Sequence, residues 1–249
     1  MYKLLMIVCC FIAPAVRAQE TQLFTVEMIK AKAGQMASFE AAWQSHVAKF
    51  HAKDTKTRHV HSILSGPYLG YYQLMEGPST FAGMDGTNPQ KKEHDLDYDE
   101  HVLPNIEVRK GNLIYAHMDS LSYRTDVHPE KIHTTVFHLK DGAEKEFLAE
   151  MKRTAHIDKK INSRSSYNCY TLHFGGSLQQ VMLITNLPEG FSQLEAGYFP
   201  AVTETFKKTY IATYTQQQWD RRNKLLKDLV ESYEIYIAKL NKPLSSPLP

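Results

Sequence analysis

The sequence predicts an α+β protein in which two tandem ferredoxin-like (βαββαβ) units close into one pseudo-symmetric barrel. Three observations carry this reading. A strand-like alternation, a glycine and an amphipathic helix occur twice: Leu23–Lys30, Gly34, then Phe39 and Trp43, and later Ile132–Lys140, Gly142, then Phe147 and Met151. Gly34 and Gly142 are 108 residues apart, as are Phe39 and Phe147. The match continues with growing offsets, Pro78 and Phe81 against Pro188 and Phe191, then Ala116-His117-Met118-Asp119 against Ala238-Lys239-Leu240-Asn241. Growing offsets mean insertions, which loops tolerate and sheets do not. Finally, two helices cover only one face of each sheet. The other face would cost roughly 25 cal/mol per Å² of apolar area in water, so two bare faces are expected to pack together.

The elements follow in order. In Leu23–Lys30, Phe24, Val26 and Met28 face one way and Thr25, Glu27 and Ile29 the other. The first face is the expected partner of the helix stripe Met36, Phe39, Trp43, Val47 and Phe50. His59–Ser65 and Tyr68–Met75 alternate around Gly66-Pro67 and predict a hairpin. Gly77-Pro78 ends the third strand, and Ser79 is a candidate helix cap. Lys91–Val108 predicts a helix limited by Pro104, and Leu113–Met118 a fourth strand. After a polar linker the order repeats: strand Ile132–Lys140, helix Ala143–Lys160, hairpin Tyr167–Phe174 and Leu178–Thr185, helix Gln216–Val230 and strand Tyr233–Lys239. Trp219, Leu226, Leu229 and Tyr233 share one side of that last helical stretch, and Pro243–Pro249 reads as a loose tail. The expected division is a signal peptide over 1–18, units over 22–123 and 131–245, and a linker over 124–130.

This order of elements, given twice in one chain, resembles the dimeric α+β-barrel superfamily, which includes antibiotic-biosynthesis-monooxygenase-like and NIPSNAP-like proteins. The resemblance rests on order and periodicity over about Leu23–Tyr123 and Lys131–Ser245. It implies the barrel and a cavity within it. Some members oxidise aromatic substrates without metal or flavin, and others bind haem. No short motif transfers catalytic residues from the family.

The chain has 249 residues, 43% of them hydrophobic, enough for a buried core rather than disorder. Lys3, the apolar run Leu4–Ile12 and Val16-Arg17-Ala18 form a secretory signal with cleavage expected after Ala18, giving a periplasmic or secreted protein. Cleavage removes Lys3 and Arg17 and leaves 27 basic against 27 acidic residues. A neutral chain gives no reason to expect nucleic acid or an anionic membrane as partner. Of three cysteines only Cys169 remains, in a predicted strand, so it is read as a buried inert thiol and no disulfide framework exists. One chain already carries both units, so a monomer is expected.

If the helix-packed faces are the apolar ones, the opposite faces line the barrel. Glu27, His59, His61, Tyr71, Gln73, Tyr115 and His117 would then point inward from the first unit, and His133, Thr135, Thr171 and His173 from the second. Such a lining needs a ligand, water or mutual hydrogen bonds. His59, His61 and His117 beside Glu27 are the candidate acid–base residues, since histidine titrates near neutrality. Tyr71, Gln73, Tyr115, His133, Thr171 and His173 are the candidate ligand-binding residues, with Tyr72 and Phe137 as further aromatics. His59, His61 and a carboxylate could hold zinc or ferrous iron, but H-x-H on a strand is common and hydrogen-bonded histidines are the better reading, so no metal ligand is assigned. His46, His51 and His156 are expected to be solvated, Trp43 and Trp219 to be core, and Lys91–Glu100 to be a wet helix surface. G-x-G-x-x-G, Walker, H-E-x-x-H, C-x-x-C and G-x-S-x-G patterns are absent, and no cofactor is named by the sequence. The functions left in play are small-molecule binding in the barrel, a cofactor-poor monooxygenase-like or isomerase-like enzyme, and a protein-binding scaffold.

Overall fold

The computed structural model describes residues 20–52, 56–86, 89–177, 179–195 and 203–246; the expected signal peptide and 247–249 lie outside these described residues. The first unit runs β1 Leu23–Ala31, α1 Met36–Phe50, β2 Thr57–Ile63, β3 Tyr72–Ser79, short helices α2 Phe81–Met84 and α3 Lys91–Asp97, and β4 Ile106–His117. The second runs β5 Lys131–Leu139, α4 Glu144–Ile161, β6 Tyr167–Phe174, β7 Gln180–Asn186, α5 Glu204–Thr213, α6 Gln216–Leu229 and β8 Val230–Leu240. The eight strands form a closed antiparallel barrel in the order β1-β3-β2-β8-β5-β7-β6-β4. Two seams join the units: β2 to β8 through His61–Leu240, Ser62–Lys239 and Ile63–Ala238, and β4 to β6 from Ile114–Phe174 to His117–Tyr170.

Three boundaries move for local reasons. β3 begins at Tyr72 rather than Tyr68, because Gly66 and Gly70 both adopt positive φ and use the intervening residues as the turn. The helix expected over Lys91–Val108 stops at Asp97, loosens into a wide turn over Tyr98–Val102, and ends around Pro104. β4 then starts at Ile106. Thr80, not Ser79, caps α2 by accepting from the Gly83 N–H at 3.0 Å.

The tail is also more structured than expected. Leu244 is buried, and its carbonyl accepts the Trp43 indole N–H at 2.9 Å. Ser246 exchanges hydrogen bonds with the Arg58 backbone. The end of the second unit therefore laces across the first.

The barrel interior holds a continuous core of Val26, Ile63, Met75, Tyr115, Ile132, Val136, Tyr170, Leu172, Met182, Ile184, Tyr236 and Ala238, with Phe24 and Met28 against it. Phe24, Val26 and Met28 thus face the barrel, opposite to the expectation that they meet the helix. α1 instead packs Phe39, Trp43 and Val47 on Ile29, Ala31, Val60 and Tyr72. Met36 leaves the expected stripe and is exposed, while His46 is buried in it. α4 and α6 cover Leu139, Cys169 and Val181, and α5 and α6 add Phe206, Tyr210 and Trp219 against Ile157. Leu226 and Tyr233, expected on that buried side, are exposed.

Gly66 sits where the β2–β3 turn meets β8. Its φ is +89°, and a Cβ there would overlap the Ile235 carbonyl and lie 3.0 Å from Tyr236 Cβ. Gly34 also has positive φ, +75°, but nothing within 4 Å. Gly34→Ala is expected to cost about 1 kcal/mol, the conformational term alone. Gly66→Ala should cost about 1–3 kcal/mol more, from overpacking at the seam. Thermal unfolding checks this: Gly66→Ala should melt several degrees below Gly34→Ala, and equal melting temperatures would deny the seam contact.

Candidate functional site: a histidine-walled cleft outside the barrel

Alternation fixed by strand pairing places each candidate residue. His59 pairs with Met75 and His61 with Gln73, so all four face the barrel interior. Tyr115 pairs with Phe24 and His117 with Tyr170, again inward. Tyr71 lies half-buried at one barrel mouth, beside Tyr68 and under the Lys110 ammonium.

The other candidates turn outward, which corrects their expected place in the lining. Glu27 pairs with Leu74 on the helix side and forms an ion pair with Arg109. In β5 the inward residues are Ile132, Thr134 and Val136, so His133 and Thr135 point outward. Thr171 pairs with Val181 under the second-unit helices, and His173 lies against Phe81. Phe137 meets Phe147 of α4, and Tyr72 meets Phe39 of α1.

The barrel is packed rather than hollow. Its cavity is about 90 Å³, at the mouth formed by Tyr68, Lys110, Tyr115, Glu234 and Tyr236. Of the polar residues inside, His117 has side-chain partners, whereas Gln73 Nε2 and Oε1, His61 Nδ1, Thr134 Oγ1 and the Tyr236 hydroxyl are buried without a hydrogen bond among the described residues. His117 is held at 2.9 Å from Asp119 and at 3.1 and 3.2 Å from Asn168 and Ser122. His61 is buried, and burial, with a smaller contribution from His59, pushes its pKa down to about 3. It is therefore neutral at physiological pH. Burial likewise lowers His59 and His133.

The large space lies elsewhere. A cleft of about 730 Å³ opens on the outer face of the first sheet. Thr25, Glu27, Arg58, Leu74, Glu76 and Arg109 form its floor, and Trp43, His46 and Phe50 of α1, His51 just past its end, His94 and Tyr98 its walls. The floor charges are paired: Arg58 with Glu76 at 2.9 Å, and Glu27 with Arg109, whose guanidinium also lies 5.3 Å from the Tyr98 ring centroid. In the equivalent layer of the second unit, the described residues pack helix side chains against one another. There Tyr210 donates to Glu150 at 2.7 Å, Arg153 joins the same carboxylate at 2.8 Å, and Tyr167 donates to Asp158 at 2.8 Å. Burial pushes the Asp158 carboxyl up. Cys169, fully buried beneath α4, has its thiol pushed up to about 12 and is inert, as expected.

Three imidazoles expected to be solvated or on a wet surface converge in the cleft wall. His46 and His51 are buried, and His94 is a quarter exposed. His94 Nε2 lies 3.2 Å from His46 Nε2 and 3.1 Å from His51 Nε2. Behind them, His46 Nδ1 is 2.9 Å from Asp97 and His94 Nδ1 is 3.0 Å from Asp95. Burial lowers the His46 pKa, and Asp97 opposes that shift. Asp97 stays below its ordinary range despite its own desolvation, because His46 and Lys49 hydrogen-bond to it. Among the described residues, these histidines are the one group of three or more His, Cys, Asp or Glu donors close enough to share a cation. A sequence signal existed: at about 100° per residue His46 falls at the edge of the apolar stripe, about 20° beyond Phe39 and about 40° from Phe50. His156, by contrast, is exposed as expected and pairs with the Tyr214 hydroxyl at 2.7 Å.

No family model and no curated protein matches the chain. Solved structures do. A protein from Fusobacterium nucleatum assigned as a monooxygenase is 12% identical, with 90% of this chain and 94% of that chain covered and a TM-score of 0.57. A protein with the same assignment from Lactobacillus acidophilus is 12% identical, with 91% and 96% covered and a TM-score of 0.55. Chlorite dismutase from Candidatus Nitrospira defluvii is 6% identical, with 90% and 93% covered and a TM-score of 0.51. At these identities the likeness establishes the α+β-barrel fold.

The barrel histidine carries a pH prediction. An unfolded chain takes up a proton at His61 near pH 6.5, whereas the folded chain resists until about pH 3. Between those values the unfolded state binds more protons, so stability falls as pH falls, by up to about 1.4 kcal/mol per pH unit for one such group. Urea unfolding at pH 7 and pH 5 should show a smaller loss in His61→Gln than in the parent. An unchanged loss would mean that His61 does not resist protonation.

Proposed function

We propose that this is an exported, monomeric small-molecule-binding protein whose ligand occupies the first-unit cleft rather than the barrel. The contrast in space carries the reading: about 730 Å³ in the cleft against about 90 Å³ in the barrel. Ligand pockets for drug-sized molecules run to roughly 300–1,000 Å³. Trp43, Phe50, Leu74 and Tyr98 offer apolar and aromatic surface, and Arg58, Lys56 and Arg109, each already facing Glu76 or Glu27, offer cationic donors that an anionic group can share. A partly aromatic ligand carrying an anionic or polar group fits that chemistry. The monooxygenase assignments of two fold neighbours belong to those proteins and are compatible with a small-molecule site here. A second reading, turnover of the bound molecule, is favoured by the three imidazoles in the cleft wall. Export rests on Lys3, Leu4–Ile12 and Ala18.

The anionic aromatic probe 1-anilinonaphthalene-8-sulfonate tests the location. Leu74→Trp should weaken its binding about tenfold or more, a loss of about 1.4 kcal/mol, whereas Tyr236→Phe inside the barrel should leave it nearly unchanged. The reverse pattern would return the ligand to the barrel. Native mass spectrometry of the protein recovered from its own cells should give a single chain beginning at Gln19. A retained Met1 would contradict export, and a dimer mass would contradict the monomer.

A further inference from the structure

We propose that His46, His51 and His94 bind one divalent transition-metal ion in the cleft wall, leaving coordination positions open to the cleft. Two aspartates set the tautomers of the cluster. An ionised carboxylate only accepts hydrogen bonds, so Asp97 and Asp95 require protons on His46 Nδ1 and His94 Nδ1. In each neutral ring the lone pair is then on Nε2. Those two Nε2 atoms face each other at 3.2 Å, and His51 Nε2 approaches the same His94 atom at 3.1 Å. Two lone pairs at that distance repel unless a proton or a metal cation stands between them, and either leaves this cluster of three imidazoles built around one shared cation. A metal–nitrogen bond of about 2.0–2.1 Å in tetrahedral geometry puts ligand nitrogens ~3.3 Å apart, close to the spacing found here.

The surroundings fit the same conclusion. Imidazole donors suit zinc, copper, nickel and ferrous iron rather than magnesium or calcium. A carboxylate on the far nitrogen is the usual outer support of a metal-bound histidine, fixing the tautomer and raising ligand basicity. The ligands come from two elements that Lys49 ties together, through its 3.0 Å contact with Asp97. Three protein ligands beside a large cleft leave room for a fourth from solvent or a bound molecule. The site belongs to one unit only: 108 residues on from His46 and His51 stand Thr154 and Lys159.

The inference deepens the proposed cleft site but is read out separately from it. Untagged protein, stripped with chelator, is dialysed against Zn²⁺ at pH 7.5, and bound metal is counted by elemental analysis. One ion per chain is expected, lost in His46→Ala and in His94→Ala and kept in His156→Ala. Circular dichroism confirms that the metal-free variants remain folded, and added Zn²⁺ should raise the melting temperature of the parent and not of His94→Ala. Asp97→Asn should keep the fold and weaken Zn²⁺ by about 10- to 100-fold, the usual effect of losing an outer-sphere partner. No bound ion in the parent, or equal binding in folded His94→Ala, overturns the proposal. Zinc binding without probe binding would sink the small-molecule reading and leave the metal site standing.

Discussion

Each four-stranded sheet in this chain has two apolar faces and helices enough for one. Barrel closure resolves that mismatch, and the remaining features depend on it. The inner faces become a single core running from Phe24 and Val26 through Tyr170 and Met182 to Tyr236 and Ala238. Filling the interior leaves little room there. An eight-stranded barrel has an interior that side chains can fill or that can hold one small ligand, and here large side chains such as Tyr115, Tyr170 and Tyr236 occupy it. The larger space lies between sheet and helix, and there the two units diverge.

In the second unit α5 and α6 bring Phe206, Tyr210 and Trp219 into that layer, where Tyr210 donates a hydrogen bond to the buried Glu150 and Arg153 balances its charge. Among the described residues, the first unit has the short α2 and α3 and the wide turn over Tyr98–Val102 in the corresponding stretch. It cannot fill the layer, and the cleft results. The same shortness sets α3 beside the end of α1, which brings His94 and Asp97 to His46. The floor is kept polar but balanced by Glu27–Arg109 and Glu76–Arg58, so burial there does not strand a charge.

The order of elements was legible because alternation, glycine turns and helical stripes are local signals. The facing of the strands was not. In a closed barrel both faces of a strand are buried, and a period of two does not say which is inner. Residues 132–136 are all buried, so the pattern in β5 carries no preference, and His133 was assigned to the wrong side. β1 failed similarly, since Phe24, Val26 and Met28 are as apolar as a helix-packed face should be. The cleft depends on what α2 and α3 fail to cover, which no residue pattern states. The histidine group was half legible: His46 lies at the edge of the apolar stripe, but its meeting with His94 depends on how α3 folds back.

The central claim is that solvent and small molecules reach the first-unit cleft and not the barrel core. Thiol labelling of folded protein tests it most directly. Cys169 is fully buried and provides an unreactive background. Thr25→Cys places a thiol on the cleft floor at little cost in volume, and Val136→Cys places one inside the barrel. The account predicts that a small aromatic maleimide labels Thr25→Cys promptly and labels Val136→Cys only as fast as the protein unfolds. Prompt labelling of Val136→Cys with Thr25→Cys protected would contradict it.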